Sequence, residues 1–273
     1  MTTPSRWLDA WRWSTPALWL QARLGRWRRA RRHGGGTPGP CAVCAGPGRF
    51  VHHVDHARED PLCVGCGSVP RQRALVQVLA ELGLDLAGAA VHEASPSLGT
   101  FQLLRARCRT FTASLWLPGV PFGGRVGAFR HVDLQRQPFA DGTFDLVITQ
   151  DVLEHVPDPH QALREIHRTL RPGGLHVFTV PRHLDRPTRA RATFDAGGVT
   201  LLAPAEYHRD PSTRAGTLVV TDWGTDLPER VAAAGAACTT HRVQDPAAGI
   251  PTTIEVFVAR PTRPAGEPPA PPR

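Results

Sequence analysis

From residue 88 onward, short hydrophobic runs alternate with stretches of helical periodicity. The runs predict strands at 89–94, 109–115, 128–132, 144–149 and 174–180, with a later pair near 217–222 and 253–259. Continuous apolar runs are typical of strands buried on both faces of a parallel sheet. We therefore expect an α/β fold with helices on both sides of the sheet.

Two of the helical stretches show clear periodicity. The stretch VPRQRALVQVLAELGLDL, residues 69–86, places Leu75, Val78 and Leu79 on one face. The stretch DPHQALREIHRTL, residues 158–170, is also amphipathic, and RPGG after it predicts its end.

Composition sets the class of protein. The chain has 273 residues, of which 41% are hydrophobic, enough for one substantial core and a small appendage. Neither a run of about 20 apolar residues nor a signal peptide is seen, so we expect a cytoplasmic protein, peripheral at a membrane if it touches one. The predicted domains are a basic helical segment at 1–35, a cysteine segment at 41–69, a main domain at 70–260 and a disordered Pro-rich tail at 261–273.

Positive charge is concentrated at the N-terminus. All 32 basic residues are arginine, and residues 1–33 hold eight of them against one aspartate, which is +7 of the formal +8. The main domain is therefore almost neutral and is not itself predicted to bind nucleic acid. Trp7 and Trp11 share one helical face, and Leu20, Leu24 and Trp27 share another. These faces either pack on the main domain or a partner, or bind an anionic membrane or nucleic acid.

Two cysteine pairs indicate a metal site. Cys41, Cys44, Cys63 and Cys66 have the spacing C-x2-C-x18-C-x2-C, in which two tight turns offer four thiolates to one tetrahedral zinc ion. Such a closed site is structural. Three alternatives remain open: ordinary buried cysteines, a redox-active pair, and ligation that includes a histidine from His52, His53 or His56.

The stretch at 133–181 carries a family resemblance. Asp133, Pro138-Phe139, Asp141, Phe144-Asp145, LEHV at 153–156 and LRPGG at 170–174 occur in the order and spacing found in class I S-adenosylmethionine-dependent methyltransferases, especially those that act on small molecules. The resemblance covers roughly residues 88–260. CVGCGSVPRQRAL also resembles the arrangement in a subset of that family with a cysteine-pair segment before the domain.

The resemblance implies a doubly wound, seven-stranded, mostly parallel sheet with an antiparallel final hairpin. It implies that S-adenosylmethionine lies across the carboxyl ends of the first strands. Asp133 and Leu134 would then flank the adenine, although Asp133 also fits the role of a loop or helix-capping aspartate. Gln150 and Asp151 would line the methionine end and face the acceptor.

The first loop departs from the family pattern. HEASPSLG has Glu93 at the family's acidic position, followed by Ser95, Ser97 and Gly99 where a glycine-rich loop is expected. Serine hydroxyls and a helix N-terminus can still bind the carboxylate of the cofactor. The second strand lacks the acidic residue that grips the ribose, which leaves Ser114 or a water as its replacement and predicts weaker cofactor affinity.

Three residues are candidates for catalysis. His155 lies in the loop after the fourth strand, where a structural or substrate-facing role is the alternative to a base. Tyr207 and His208 lie in the long connection at 182–216, which in this fold covers the methyl group. A buried, hydrogen-bonded tyrosine is the alternative there.

Two functions therefore fit the sequence. The first is a methyltransferase that acts on a small-molecule or glycan-like acceptor, with a structural zinc segment. The second is a zinc-ribbon module that binds nucleic acid or a membrane surface, with a methyltransferase fold that has lost its catalysis. The sequence does not predict the oligomeric state.

Overall fold

The structure is a computed structural model that describes residues 16–32, 34–210 and 213–262. Its helices are α1 Pro16–Arg32, α2 Pro70–Glu81, α3 Leu98–Arg107, α4 Pro159–Thr169 and α5 Leu227–Ala233, with a 3-10 turn at Leu153–His155. Its strands in the first half are β1 Thr37–Cys41, β2 Gly46–Val51, β3 Leu62–Cys63, β4 Ala90–Ala94, β5 Thr110–Leu115, β6 Arg125–Val126 and β7 Phe129–His131. The remaining strands are β8 Phe144–Gln150, β9 Leu170–Thr179, β10 Arg189–Ala190, β11 Ala192–Asp195, β12 Gly198–Leu201, β13 Tyr207–Asp210, β14 Thr213–Leu218, β15 Thr221–Asp222, β16 Ala236–Asp245 and β17 Ile250–Pro261.

The main sheet has eight strands in the order β16-β17-β9-β8-β4-β5-β7-β6. Strands β9, β8, β4, β5 and β7 are parallel to one another, whereas β17 pairs antiparallel with β9 and with β16. The strand order reverses between β4 and β8, where the chain leaves β4 for β5 on one side and later returns as β8 on the other. The expected doubly wound α/β sheet with a final antiparallel hairpin is confirmed.

Side chains of the central strand β8 alternate between two hydrophobic clusters. Val147 packs with Leu163 and Ile166 of α4 and with residues of α5, whereas Leu146 and Ile148 pack with Leu75 and others of α2. Each face of the sheet is therefore covered by helices, which explains why FDLVITQ is apolar almost throughout.

Two details of the sheet differ from the sequence prediction. The penultimate strand is β16, after helix α5, and not the segment near 217–222. That segment is divided between β14, which pairs with β13, and β15, which pairs with β10. The eighth strand, β6, adds a short antiparallel edge beside β7. Both β6 and β15 have two residues, too short for a hydrophobic period to reveal.

The cysteine segment forms a separate three-stranded sheet, β1-β2-β3. Helix α1 lies against it, because Arg26 donates hydrogen bonds of 3.0 Å to the carbonyls of Val64 and Gly65. Ala30 packs with Val51 and Val64, whereas the larger apolar side chains remain accessible. Leu20, Leu24 and Trp27 are 51%, 48% and 40% exposed. Trp7, Trp11 and the Pro-rich tail lie outside the described residues. Among the described helices, none is long and apolar enough to cross a membrane.

Candidate functional site

The candidate site lies at the carboxyl ends of β4 and β8, beside the point where the strand order reverses. In open α/β sheets the crevice outside these ends is where ligands bind. β4 ends at Ala94 and β8 at Gln150, and the two strands pair directly over Val91–Ala94. The residues of the first loop and those after β8 are therefore neighbours in space.

Ser95 adopts the backbone conformation of a glycine. Its φ is 51°, in the left-handed region, and its amide donates to the carbonyl of Ser114 at 2.8 Å. This is the first position of the expected glycine-rich loop, so the turn of that loop persists although its glycine does not. The Ser95 side chain is exposed.

Ser97 is the N-cap of α3. Its hydroxyl accepts a hydrogen bond from the amide of Thr100 at 3.3 Å, and the helix begins at Leu98. The remaining amides at this helix start favour an anion, such as a carboxylate. The predicted role of Ser97 towards the carboxylate of the cofactor stays a prediction, supported by this helix start.

Glu93 is fully buried behind the loop. Its Oε1 accepts hydrogen bonds from the Thr100 hydroxyl at 2.6 Å and the Gln150 amide at 2.9 Å, while Oε2 accepts none from the described residues. Burial raises the pKa of Glu93 to about 8, although both hydrogen bonds lower it. A positively charged group next to Oε2 would favour the ionised form.

The carboxylate of Asp151 forms ion pairs with two arginines from outside the sheet. Its φ is 52°, and its carboxylate contacts Arg58 at 2.7 Å, Arg71 at 3.2 Å and the Thr179 hydroxyl at 2.8 Å. Burial alone raises the pKa of Asp151, but the two guanidinium groups hold it below its ordinary value. The sequence analysis did not assign a role to Arg58 or Arg71. The resemblance of CVGCGSVPRQRAL, which contains Arg71, to a subset of the family was the available signal for Arg71.

The polar side chains predicted to bind the adenosine part of the cofactor make hydrogen bonds within the protein. Asp133 Oδ1 accepts from the backbone amide of Gln135 at 2.9 Å, an Asx turn that matches the loop alternative, and Leu134 is buried next to it. Ser114 is 2% exposed and its hydroxyl lies 2.8 Å from Nε2 of His92. A hydroxyl has further hydrogen-bonding capacity, so the role of Ser114 at the ribose stays a prediction. Trp116, at the end of β5, is 60% exposed and was not considered in the sequence analysis.

Two of the three catalytic candidates lie together, and Glu154 joins them. Oε1 of Glu154 is 3.7 Å from Nε2 of His155 and 3.6 Å from Nδ1 of His208. Glu154 is fully buried, and its carboxylate raises the pKa of His208. Tyr207 precedes His208 on the same strand and is 58% exposed, so it faces away from this cluster. The buried-tyrosine alternative is therefore wrong.

The four paired cysteines converge on one point. Sγ of Cys41 lies 3.8 Å from that of Cys66, and Cys44 lies 3.7 Å from Cys63. Four sulfurs at the zinc–sulfur distance of a tetrahedral site are about 3.8 Å apart, so the donors fit zinc. His52 and His53 instead contact Asp60 at 2.8 and 3.1 Å, and neither belongs to this cluster.

Gly99 faces the cysteine segment. A Cβ atom at Gly99 would lie 3.3 Å from Val43 and 3.4 Å from Ser68, and the Ser68 hydroxyl contacts Sγ of Cys66 at 3.1 Å. The absence of a side chain at Gly99 therefore permits close packing of α3 on the cysteine sheet. The predicted role of Gly99 in binding the cofactor stays a prediction.

Two cavities of the described chain lie away from this site. One of about 250 Å³ lies beside Trp223 and the start of α4, and one of about 280 Å³ lies between Asp85 and Asp145. Neither of the two is lined by Glu93 or Asp151.

Comparison with known proteins gives one family match. The family model described as a methyltransferase domain matches residues 62–178, from the second cysteine pair to β9. This range contains Glu93, Gln150 and Asp151, and it begins within the cysteine segment.

Curated relatives match over shorter stretches. Sarcosine/dimethylglycine N-methyltransferase of Halorhodospira halochloris is 50% identical over 48 residues, 18% of this chain and 17% of that protein. An uncharacterized methyltransferase of Mycobacterium tuberculosis is 41% identical over 61 residues, 22% of this chain and 24% of that protein. The chain thus spans less than a quarter of the length of either relative.

Solved structures are similar at low sequence identity. The 1,6-didemethyltoxoflavin-N1-methyltransferase of Burkholderia thailandensis, solved with S-adenosylhomocysteine, is 24% identical, with 71% of this chain and 79% of that chain covered and a TM-score of 0.47. An S-adenosylmethionine-dependent methyltransferase of Mesorhizobium loti is 16% identical, with 68% and 97% covered and a TM-score of 0.46. Residues 62–178 are therefore similar to a methyltransferase domain, and this range includes the motifs at 133–174 that resemble class I S-adenosylmethionine-dependent methyltransferases.

Proposed function

We propose that the protein transfers a methyl group from S-adenosylmethionine to a small-molecule acceptor. The observation that supports this most directly is Glu93, a buried carboxyl at the carboxyl end of β4 whose Oε2 accepts no hydrogen bond from the described residues. The ammonium of the cofactor's methionine end would supply the partner that Oε2 lacks. Ser95, Ser97, Gln150 and Asp151 surround this point and complete the proposed cofactor set, with Asp133 and Leu134 towards the adenine.

The acceptor side is proposed at the 3-10 turn after β8. His155 lies in this turn, four residues after Asp151, and His208 of β13 lies against it. Methyl transfer from a sulfonium is a direct displacement, so aligning donor and acceptor is the main task of the protein. The comparisons include a relative that methylates sarcosine and dimethylglycine, which supports a small molecule. The glycan-like class stays a prediction from the sequence.

Calorimetric titration with S-adenosylmethionine tests the proposal. We expect saturable binding with a dissociation constant below about 1 mM, the weak end of ordinary affinities. Glu93→Gln should weaken binding at least fivefold, whereas Glu81→Gln, an exposed substitution at the end of α2, should not change it. Absence of saturable heat from the folded wild-type protein would reject the proposal.

We also propose that Cys41, Cys44, Cys63 and Cys66 hold one structural zinc ion. The sulfur separations near 3.8 Å support it, and Gly65 lies so close to the site that a Cβ there would be 3.1 Å from Sγ of Cys44. Elemental analysis should find one zinc per chain, retained in Cys238→Ser and lost in Cys63→Ser. Equal metal content in both variants would contradict this assignment.

A second candidate function concerns α1. The accessible Leu20, Leu24 and Trp27 project from a helix rich in arginine, which supports binding to an anionic surface. Vesicles containing anionic lipid should retain the wild-type protein at low salt and release Trp27→Asp. RNA binding that is lost in the same variant would instead support the nucleic-acid alternative, and no change in either assay would leave α1 a packing element only. Localisation in the cytoplasm stays a prediction.

A further inference from the structure

The cluster of Glu154, His155 and His208 contains a buried carboxylate that lacks hydrogen bonds. Glu154 is 0% exposed, and neither of its oxygens accepts a hydrogen bond from the described residues. An isolated carboxylate in such a place is strongly unfavourable unless a positive charge accompanies it. The two histidines, whose rings are perpendicular with centroids 5.0 Å apart, flank it, and the Arg71 guanidinium, which contacts Asp151, is a further charged group that acts on it.

The distances within the cluster fit three ligands of one metal ion better than hydrogen bonds between the carboxylate and the imidazoles. The separations of 3.6 and 3.7 Å between Oε1 and the two ring nitrogens exceed the about 2.7–2.9 Å of a charge-assisted hydrogen bond. Nitrogen and oxygen donors around one tetrahedral metal at 2.0–2.1 Å are about 3.3–3.4 Å apart. The donor atoms of all three residues lie within 4.8 Å of one another. The spacing is therefore closer to that of ligands sharing an ion.

In each imidazole the nitrogen that faces away from Glu154 lies near a carbonyl or carboxylate oxygen, as in metal sites. Nδ1 of His155 lies 2.8 Å from the carbonyl oxygen of Leu218, which can only accept, so Nδ1 carries a proton. The neutral ring would then present the lone pair of Nε2 to the ion. Nε2 of His208 lies 3.5 Å from a carboxylate oxygen of Glu206. A carbonyl or carboxylate behind the ligating imidazole orients it and increases its basicity.

We propose that Glu154, His155 and His208 bind a divalent transition-metal ion, and that this ion receives a hydroxyl oxygen of the acceptor. Two histidines and one carboxylate are the ligand set of catalytic metal sites that keep a position open. His208 is about one-third exposed, so an acceptor reaches the ion from that side. This set differs from the four cysteines, which leave no position open.

The acceptor part of this inference rests on the proposed methyltransferase function; the metal site does not. Coordination lowers the pKa of a hydroxyl, and the proton passes to solvent. The resulting oxygen anion attacks the methyl carbon of S-adenosylmethionine. An O–C bond forms as the C–S bond breaks, and the electron pair of the C–S bond stays on sulfur in S-adenosylhomocysteine.

Cobalt(II) is the probe for the metal site. The full-length protein is first given one equivalent of zinc, and cobalt is then titrated in. We expect one equivalent of cobalt with weak visible bands and no thiolate-to-metal band, because its ligands are nitrogen and oxygen. Glu154→Gln and His208→Asn should each weaken this binding at least about tenfold. His241→Asn and Glu81→Gln are the matched controls and should bind as the wild type does.

The two variants distinguish a folding defect from loss of the metal site. His208 is partly exposed, so His208→Asn tests the site even if Glu154→Gln fails to fold. Absence of the cobalt equivalent in the wild type, or equal binding in His208→Asn, would overturn the metal site. Catechol added to the cobalt-loaded protein should shift the visible bands; no shift would overturn the hydroxyl part. Titration of S-adenosylmethionine reports on the proposed function independently, since it requires no cobalt.

Discussion

Arg58 of the cysteine segment donates a hydrogen bond of 2.7 Å to Asp151 at the end of β8, across 93 residues of sequence. Arg71 of α2 contacts the second oxygen of the same carboxylate at 3.2 Å. The cysteine segment is therefore joined to the candidate site by charge as well as by the packing of Gly99. The structural state of the cysteine segment is therefore expected to influence the candidate site at the carboxyl ends of β4 and β8.

Arg58→Gln should make the protein less resistant to acid. The pKa of Asp151 is held below its ordinary value, so this carboxylate stabilises the fold above its unfolded-state pKa, and the contribution disappears as the pH falls through the folded-state pKa. Removing one arginine raises the folded-state pKa, so the loss occurs at higher pH. We expect an upward shift of the acid-unfolding midpoint and a loss of about 1 kcal/mol at neutral pH. Arg49→Gln, an exposed control, should behave as the wild type; identical acid curves for all three proteins would contradict the prediction.

Glu93→Gln should remove a pH dependence of stability. Burial raises the pKa of Glu93 to about 8, so the neutral form stabilises the fold below the ordinary value of 4.5 and that stability is lost as the pH rises through about 8. The slope is at most about 1.4 kcal/mol per pH unit. Thermal unfolding between pH 5 and 9 should show the wild type losing stability relative to Glu93→Gln. A constant difference between the two proteins would mean that Glu93 does not titrate in this range.

Cofactor binding should release a proton from Glu93. At pH 7 a carboxyl with a pKa of about 8 is mostly protonated, and an ammonium placed at Oε2 lowers that pKa. Calorimetry in two buffers with different ionisation enthalpies should give different apparent heats for the wild type. The heats should agree for Glu93→Gln. A wild-type heat that is independent of the buffer would exclude proton release.

Ser95 should tolerate glycine and reject a β-branched residue. A left-handed conformation costs a residue with a Cβ about 1–2 kcal/mol, and most for a branched side chain. Ser95→Val should lower the free energy of unfolding by about that amount, whereas Ser95→Gly should keep or raise it. Thr110→Val, at an exposed strand position, is the control for the added side chain and should stay within about 0.5 kcal/mol. Denaturant unfolding in which Ser95→Val equals the wild type would contradict the strained backbone.

Gly99→Leu should affect the metal as well as the fold. Its side chain would collide with Val43 and Ser68, and overpacking costs about 1–3 kcal/mol. We expect lower stability and faster loss of zinc to a chelator. Gly25→Leu is the control, because no atom lies within 4 Å of a Cβ at Gly25. An unchanged rate of zinc loss in Gly99→Leu would show that packing at Gly99 does not affect the metal site.

Local patterns predicted most of the fold. Continuous apolar runs and amphipathic stretches with a helical period report burial directly, and the elements β4, β8, α2 and α4 were found from them. The strand near 217–222 was misplaced because three short strand pairs occupy the region before α5, and pieces of two to six residues carry too few positions to show a period.

The sequence by itself determined the sheet, the methyltransferase motifs at its carboxyl edge and the spacing of the four cysteines, because each depends on residues close together in the chain. Only the tertiary structure brought Arg58 to Asp151, His208 to Glu154 and Gly99 to Ser68. These contacts join residues 31 to 93 positions apart. Their formation depends on how α1, the cysteine sheet and the strands at 207–218 pack on the main sheet, and burial of a remote polar group leaves no periodic signal in the sequence.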